Sequence, residues 1–137
     1  MTKTWKLMFV LLVVAGCGGD DTVANVDPTL TSIQTNVFNK SCALPSCHNS
    51  TASKEGLTLT QGSSFGELVN VPAENVAAAA DGKIRVVPGD PDASFIIQKL
   101  EGPAAGEGDL MPQSSSGLDP EIISVIRQWI TDGALNN

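Results

Sequence analysis

Residues 42–48, Cys42-Ala43-Leu44-Pro45-Ser46-Cys47-His48, are the stretch on which the fold of this chain depends. They include two of the three cysteines and the only histidine among 137 residues. On a regular helix, at about 100° per residue, the two thiols would point about 140° apart. Pro45 cannot donate a helical N–H, and it disfavours helical backbone at the residue before it. We therefore predict that residues 43–46 bulge out of the helix and bring both sulfur atoms to one side.

Two thiols followed at once by an imidazole are the groups that hold a haem covalently. The thiols can add to the vinyl groups of the porphyrin while the ring nitrogen binds the iron, which is the chemistry of the C-x-x-C-H signature. Here the spacing is C-x-x-x-x-C-H, two residues longer. A disulfide between Cys42 and Cys47 is the alternative in an exported protein, and these seven residues leave both open. A zinc site would need a further Asp or Glu ligand, because the sequence has no second Cys-His cluster.

Residues 1–16 have the pattern of a bacterial export signal. Two lysines precede an apolar run, residues 7–14, that is too short to span a bilayer permanently. The run ends Val14-Ala15-Gly16-Cys17, which resembles the lipobox of bacterial lipoproteins. We expect cleavage before Cys17 and lipid chains on its thiol that anchor the protein to a membrane. An ordinary secretory signal with a chance cysteine is the alternative.

The chain after the signal is one small acidic domain on a polar linker. Residues 17–27 contain the lipidated cysteine and the linker, and residues 28–137 form the domain. Gly18 rather than Asp after the cysteine favours the outer membrane, with the domain in the periplasm or on the cell surface. Without the signal, 6 basic side chains stand against 15 acidic ones, a net charge of about −9. Such a surface repels nucleic acid, and a partner that it attracts carries a basic patch.

Helical patterns begin and end the domain. For the first helix we predict Asp27 as the N-cap and Pro28 as the first helical residue. Its apolar face, which leads into the Cys42 loop, consists of Leu30, Ile33, Val37 and Phe38. For the last helix we predict a start at Asp119 and an end at Gly133. Its buried face consists of Ile122, Val125, Ile126, Trp129 and Ile130.

The middle of the domain is rich in loops. Residues 56–59 indicate a short strand or an extended connection, and residues 63–69 allow one or two helical turns capped by Ser63. Residues 75–81 fit either a helical turn or an exposed loop, and residues 84–87 form an extended run. Asp90 and Pro91 are predicted to cap a further helix. Its inward side chains are Phe95, Ile96 and Leu100.

Met111 is the only methionine outside the export signal, and it lies in a loop rich in Gly and Pro before the last helix. A lone loop methionine usually fills a gap in a core. A thioether is also a soft, neutral ligand that suits the sixth position of a haem iron whose fifth ligand is histidine. Met111 is therefore a candidate axial ligand together with His48.

These features together resemble a monohaem c-type cytochrome carried on a bacterial lipoprotein. Runs similar to those of cytochrome c-like modules with an extended attachment site are Phe38-Asn39-Lys40-Ser41-Cys42, Val87-Pro88-Gly89-Asp90-Pro91 and Arg127-Gln128-Trp129-Ile130. The resemblance covers residues 28–137. It implies an all-α, small cytochrome c-like helical domain with a loop-rich middle and the haem in its core.

The same resemblance implies the site residues. One haem c would be bound covalently by Cys42 and Cys47, with His48 as the proximal ligand and Met111 as the distal one. Arg85 or Lys83 would pair with a haem propionate.

Two classes of function follow from these observations. The first is an electron carrier that exchanges electrons with redox partner proteins and catalyses no bond chemistry, because both axial positions of the iron are taken. The alternative is a haem-free surface lipoprotein, closed by the Cys42–Cys47 disulfide, that acts as a binding or structural module. A peroxidase ranks third, since no distal His or Arg pair can be identified in the sequence.

Overall fold

The computed structural model describes residues 25–113 and 117–137, and the regular elements in those ranges are helical. In chain order they are α1 Leu30–Ile33, the π-helical segment Gln34–Cys42 that continues it, the tight turn Lys54–Gly56, α2 Ser64–Leu68, α3 Val76–Ala80, α4 Phe95–Glu101 and α5 Pro120–Thr131. Extended residues in these ranges pair only through isolated bridges, such as Val69 with Val86. The predicted helical class is therefore confirmed for the described residues.

One main core joins the helix before Cys42 to α4 and α5. Its most deeply buried side chains are Ile33, Val37, Phe38, Leu68, Val86, Ile97, Ile126, Trp129 and Ile130. The predicted apolar face of the first helix is buried in full, and Phe38 and Trp129 belong to the same cluster. The indole N–H of Trp129 donates to the Leu135 carbonyl at 2.9 Å, so the one polar atom of this large side chain is satisfied.

The first helix begins later than predicted, at Leu30. Thr29 is the N-cap, since its backbone is extended and its Oγ1 accepts the Ser32 N–H at 3.3 Å. The N–H groups of the first two helical residues donate to the side-chain and main-chain oxygens of Asn137, at 3.0 and 2.8 Å. The prediction of Asp27 as the cap was wrong because these donors find partners at Thr29 and at the distant Asn137.

The last helix begins as predicted, while the predicted start of α4 was wrong. Asp119 caps α5 and accepts the Glu121 N–H at 2.8 Å. The N-cap of α4 is Ser94, whereas Asp90 accepts the Ala93 N–H at 3.0 Å and so closes the preceding turn.

The predicted inward faces of both helices are confirmed at most positions, since Phe95, Leu100, Ile126, Trp129 and Ile130 are buried, and the differences are at single residues. Ile97 is fully buried in α4, and Ile96 is only partly buried. In α5, Ile123 is buried, whereas Ile122 and Val125 pack partly exposed against the core.

The middle of the domain contains only short helices between loops. Helix α2 starts after Ser63 as predicted, and residues 57–59 form an extended connection instead of a strand. Helix α3 is a helical turn whose cap, Asn75, accepts the Ala77 and Ala78 N–H groups at 3.1 Å each. The export signal, Cys17 and residues 18–24 of the linker lie outside the described residues. Within residues 25–113 and 117–137, every helix is too short or too polar to span a bilayer.

The position of the first N-cap gives a stability test. Replacing Thr29 with Ala removes the acceptor for the Ser32 N–H, and we expect the free energy of unfolding to fall by about 1 kcal/mol. Asp27→Ala removes a side chain that is exposed and does not cap the helix, so its effect should stay below about 0.5 kcal/mol. Denaturant titration of both variants decides between the two caps, and a larger loss for Asp27→Ala would contradict the structure.

Candidate functional site

The Cys42 loop leaves the helix and returns on itself. Cys42 ends the π-helical segment, and the Ala43 N–H donates to the Phe38 carbonyl at 2.7 Å, a bond five residues long. The His48 N–H then donates to the Cys42 carbonyl at 3.1 Å, which closes the loop. Pro45 lies exposed at its tip. The insert therefore bulges outward, as its length and its proline predict.

The two thiols of the loop are unpaired and lie within electrostatic reach of each other. Cys42 packs against the main core, and this burial, followed by the nearby Cys47, raises the pKa of its thiol to about 12. Cys42 is therefore a neutral thiol at neutral pH.

The His48 ring is fixed by hydrogen bonds from one nitrogen. Its Nδ1 lies 3.1 Å from the Lys54 carbonyl and 3.3 Å from the Leu57 carbonyl. Carbonyl oxygens only accept, so Nδ1 carries the proton and the lone pair of the neutral ring is on Nε2. Metal-binding histidines are commonly oriented in this way, through a carbonyl acceptor on the other nitrogen.

The charge state of His48 agrees with that orientation. Burial lowers the pKa of the ring, and the positive charge of Arg85 acts in the same direction. The carbonyl hydrogen bonds and the Glu55 carboxylate oppose this shift without reversing it. His48 is therefore neutral at neutral pH, with Nε2 able to bind a metal.

The carbonyls that orient His48 belong to a strained turn. Ser53, Glu55 and Gly56 have φ values of 41°, 52° and 58°, in the left-handed region. For a residue other than glycine this backbone costs about 1 kcal/mol or more, so other contacts have to fix the turn. Arg85 supplies one of them.

Arg85 is a buried cation that binds the turn to the rest of the domain. It donates to the Glu55 carbonyl at 3.0 Å and to the Glu67 carbonyl at 2.9 Å. The carboxylates of Glu67 and Glu74 each lie 3.3 Å from its guanidinium. Bonds from a charged donor are stronger than neutral ones, and four partners offset much of the desolvation of the arginine.

Met111 lies in a loop that is bound to α4. Its side chain is half-buried against the main core, and its N–H donates to the Lys99 carbonyl at 2.8 Å. The ammonium group of Lys99 donates to the Glu107 carbonyl at 2.7 Å and to the Asp109 carbonyl at 2.6 Å. The Met111–Pro112 peptide bond is cis.

The His48 turn, residues 53–57, and the Met111 loop, residues 107–111, are linked electrostatically through Glu55. Burial lowers the pKa of Lys99, and the carboxylates of Asp109, Glu107 and Glu55 oppose that shift. Glu55 therefore acts on both His48 and Lys99. Cys42 and Met111 also pack on the same core cluster, so the fold gathers the candidate ligand-bearing segments around one apolar centre.

The two basic residues considered for a propionate already have partners in the domain. Arg85 binds the turn as described, and Lys83 pairs with the buried carboxylate of Glu107 and donates to Gln98 at 2.7 Å.

A cavity of about 400 Å³ lies between the end of the first helix and the loop after Met111. Its apolar lining includes Val37, Leu44, Leu118 and Ile122. Among the described residues, no three His, Cys, Asp or Glu side chains converge as a metal cluster.

Gln34 supports the site and was not identified from the sequence. It is buried on the apolar face of the first helix, and its Nε2 donates to the Leu59 carbonyl at 2.8 Å. Its Oε1 accepts the hydroxyl of Ser64. Leu59 in turn donates its N–H to the His48 carbonyl at 2.7 Å. The available signal was a polar residue between Ile33 and Val37, at a position whose helical spacing is that of the core face.

No protein-family model, curated protein or solved structure matches this chain. Its function therefore has to be inferred from the chemistry of the site.

The strained turn gives a second stability test. A Cβ on Gly56 would collide with the Glu74 carboxylate and displace it from Arg85, whereas a Cβ on Gly62 would meet open space. Both glycines have positive φ, 58° and 87°, so alanine is strained by about 1 kcal/mol at either position. We expect Gly56→Ala to lower the free energy of unfolding by a further 0.5 to 1 kcal/mol, roughly the value of one exposed ion pair.

The comparison of these two alanine variants by denaturant titration isolates the contact with Glu74. In a Glu74→Gln background the excess cost of Gly56→Ala should shrink, because the ion pair with Arg85 is already gone. Equal losses for Gly56→Ala and Gly62→Ala in the natural background would show that Glu74 does not stabilise the turn.

Proposed function

We propose that this domain is an electron-transfer protein that carries one covalently attached haem. Cys42 and Cys47 form the thioether bonds, His48 is the proximal ligand and Met111 is the distal one. The orientation of His48 is the observation that carries the proposal, because Nδ1 donates to two main-chain carbonyls and Nε2 keeps its lone pair.

The donor set beside His48 supports the same cofactor. Two unpaired thiols precede the imidazole directly, and the first of them is a neutral thiol. Addition of a thiol to a vinyl group puts sulfur on one carbon and hydrogen on the other, so it consumes an S–H group and needs no leaving group. The half-buried side chains of Cys42, Leu57, Phe65, Ile96 and Met111, which pack against the core, offer apolar surface to a flat ring.

A bound haem supplies a one-electron couple between ferric and ferrous iron, and two protein ligands leave no coordination position for a substrate. The residues of the chain hold the two candidate iron ligands in one geometry. The turn that accepts the Nδ1–H fixes the plane of His48, and the Lys99 carbonyl fixes the backbone of Met111. Met111 packs against the apolar main core, and an apolar shell that limits solvent access tunes the reduction potential.

The rest of the proposal concerns the location and the partners of the domain. Cys17 would be lipidated, and the domain would be tethered close to a membrane, with the outer membrane favoured. The net charge of about −9 after signal removal favours redox partner proteins that present a basic patch, and it opposes nucleic acid binding.

Covalent attachment is tested on the peptide that contains residues 42–48. We expect protein from a host with haem-attachment machinery to carry one haem on this peptide by mass spectrometry, and to show a pyridine haemochrome shifted by thioether bonds. Cys42→Ser and Cys47→Ser should each remove one thioether, and the double variant should carry no covalent haem.

The alternative function predicts a different mass for the same peptide. A haem-free module closed by a disulfide would give a Cys42–Cys47 bond, two hydrogens lighter than the dithiol, and a colourless protein. That result would overturn the electron-transfer proposal and leave the surface-module function in its place.

The distal ligand is tested by Met111→Leu, which keeps the apolar volume and removes the sulfur. We expect loss of the sulfur-to-iron charge-transfer absorption and a lower reduction potential, because a methionine ligand raises the potential. Leu110→Ala, which alters the packing of the neighbouring residue and leaves the sulfur, is the control and should keep the absorption. An unchanged spectrum and potential in Met111→Leu would remove Met111 from the ligand set.

A further inference from the structure

Lys99 binds the Met111 loop at three points. Its main-chain carbonyl accepts the Met111 N–H at 2.8 Å, and its ammonium group donates to the carbonyls of Glu107 and Asp109 at 2.7 and 2.6 Å. The bonds come from one residue of α4 and reach three alternate positions of the loop, 107, 109 and 111. The two bonds from the charged ammonium group are stronger than bonds between neutral groups.

The loop follows the side chain of Lys99 closely. Gly108 lies between the two carbonyls, and a Cβ on it would approach the Lys99 ammonium to 3.3 Å. Its φ of 80° belongs to the left-handed region that favours glycine. The backbone therefore curves around the ammonium group, so that the carbonyls of Glu107 and Asp109 both face it.

The start of the loop is fixed by a second, separate set of contacts. Glu107 is buried, pairs with Lys83 and accepts the Ala104 N–H at 2.9 Å. These contacts end at residue 107. From there to Met111, Lys99 of α4 contributes hydrogen bonds at Glu107, Asp109 and Met111.

We propose that Lys99 is the positioning residue for the axial methionine: its three bonds set where the Met111 sulfur lies and hence how strongly it binds the haem iron. The effect on haem binding by Met111 rests on the proposed function. The effect on the stability of the loop rests only on the hydrogen bonds of Lys99. In this role Lys99 acts through the backbone of residues 107–111, to which it is hydrogen-bonded.

Competition by free imidazole measures the strength of the Met111 bond in the haem-loaded protein. Lys99→Leu removes the ammonium group, and we expect imidazole to bind at least about tenfold more tightly because the methionine is easier to displace. Lys99→Arg can still donate to both carbonyls and should recover part of the natural resistance. An imidazole affinity unchanged in Lys99→Leu would overturn the proposal.

Two controls separate positioning from a general loss of stability. Lys40→Leu removes the same charge from an exposed lysine whose ammonium bonds to Asn36 in the first helix, and its imidazole affinity should equal that of the natural protein. In a Met111→Ala background, Lys99→Leu should have no further effect, since no methionine remains to be displaced. An equal effect in both backgrounds would show that Lys99 does not act through Met111, and would also overturn the proposal.

Amide hydrogen exchange of the purified chain gives the readout that needs no haem. We expect the Met111 amide to exchange roughly tenfold faster in Lys99→Leu, with exchange in α5 unchanged, because only the loop is released. Lys99→Arg should lie between the two. Equal exchange at Met111 in the natural and Lys99→Leu proteins would overturn the role of Lys99. A chain without haem would refute the electron-transfer function and leave the exchange result to decide the role of Lys99 by itself.

Discussion

The hydrogen bonds from His48 Nδ1 to the carbonyls of Lys54 and Leu57 are the constraint on which the candidate site depends. They select the tautomer, fix the plane of the ring and leave Nε2 available. They also require a turn with left-handed backbone, which is unfavourable by itself. Arg85 offsets that strain because it binds the turn and two neighbouring carboxylates from a buried position.

Basic side chains fix the loops of an acidic domain. Lys83, Arg85 and Lys99 each bind carbonyls or carboxylates from other segments, and Arg127 of α5 pairs with Asp92 and Glu101. The middle of the chain has short helices and few regular hydrogen bonds, so its backbone oxygens need other donors. The guanidinium group of arginine and the ammonium group of lysine each carry several N–H donors, so one side chain can satisfy two or three backbone oxygens at once. The two candidate axial ligands therefore rely on the same device, Arg85 for the His48 turn and Lys99 for the Met111 loop.

The sequence predicted the start of α5, and it failed where a neighbouring cap or a distant residue satisfied the first turn instead. Asp119 and Pro120 start α5 as expected, since a cap and a first-turn proline need no tertiary partner. The same pattern at Asp27 failed, because Thr29 and Asn137 satisfy the first turn instead. At Asp90 the carboxylate closes a turn that precedes Ser94, the true cap. In the site, Pro45 was sufficient to predict that residues 43–46 bulge out of the helix. The role of Gln34 was not predicted, because the other residues on that face of the first helix are apolar.

The sequence by itself determined the helical class, the apolar faces that form the core and the presence of two thiols beside the only histidine. Periodicity and turn chemistry act over a few residues, so they are visible in a linear chain. Only the tertiary structure decided which nitrogen of His48 is available, which cations fix the loops and where the first helix begins. Those outcomes depend on contacts such as Arg85 with Glu55 and Leu30 with Asn137, which join residues 30 and 107 positions apart. Local propensities carry no information about such pairs, because the pairs form only when the whole core has assembled.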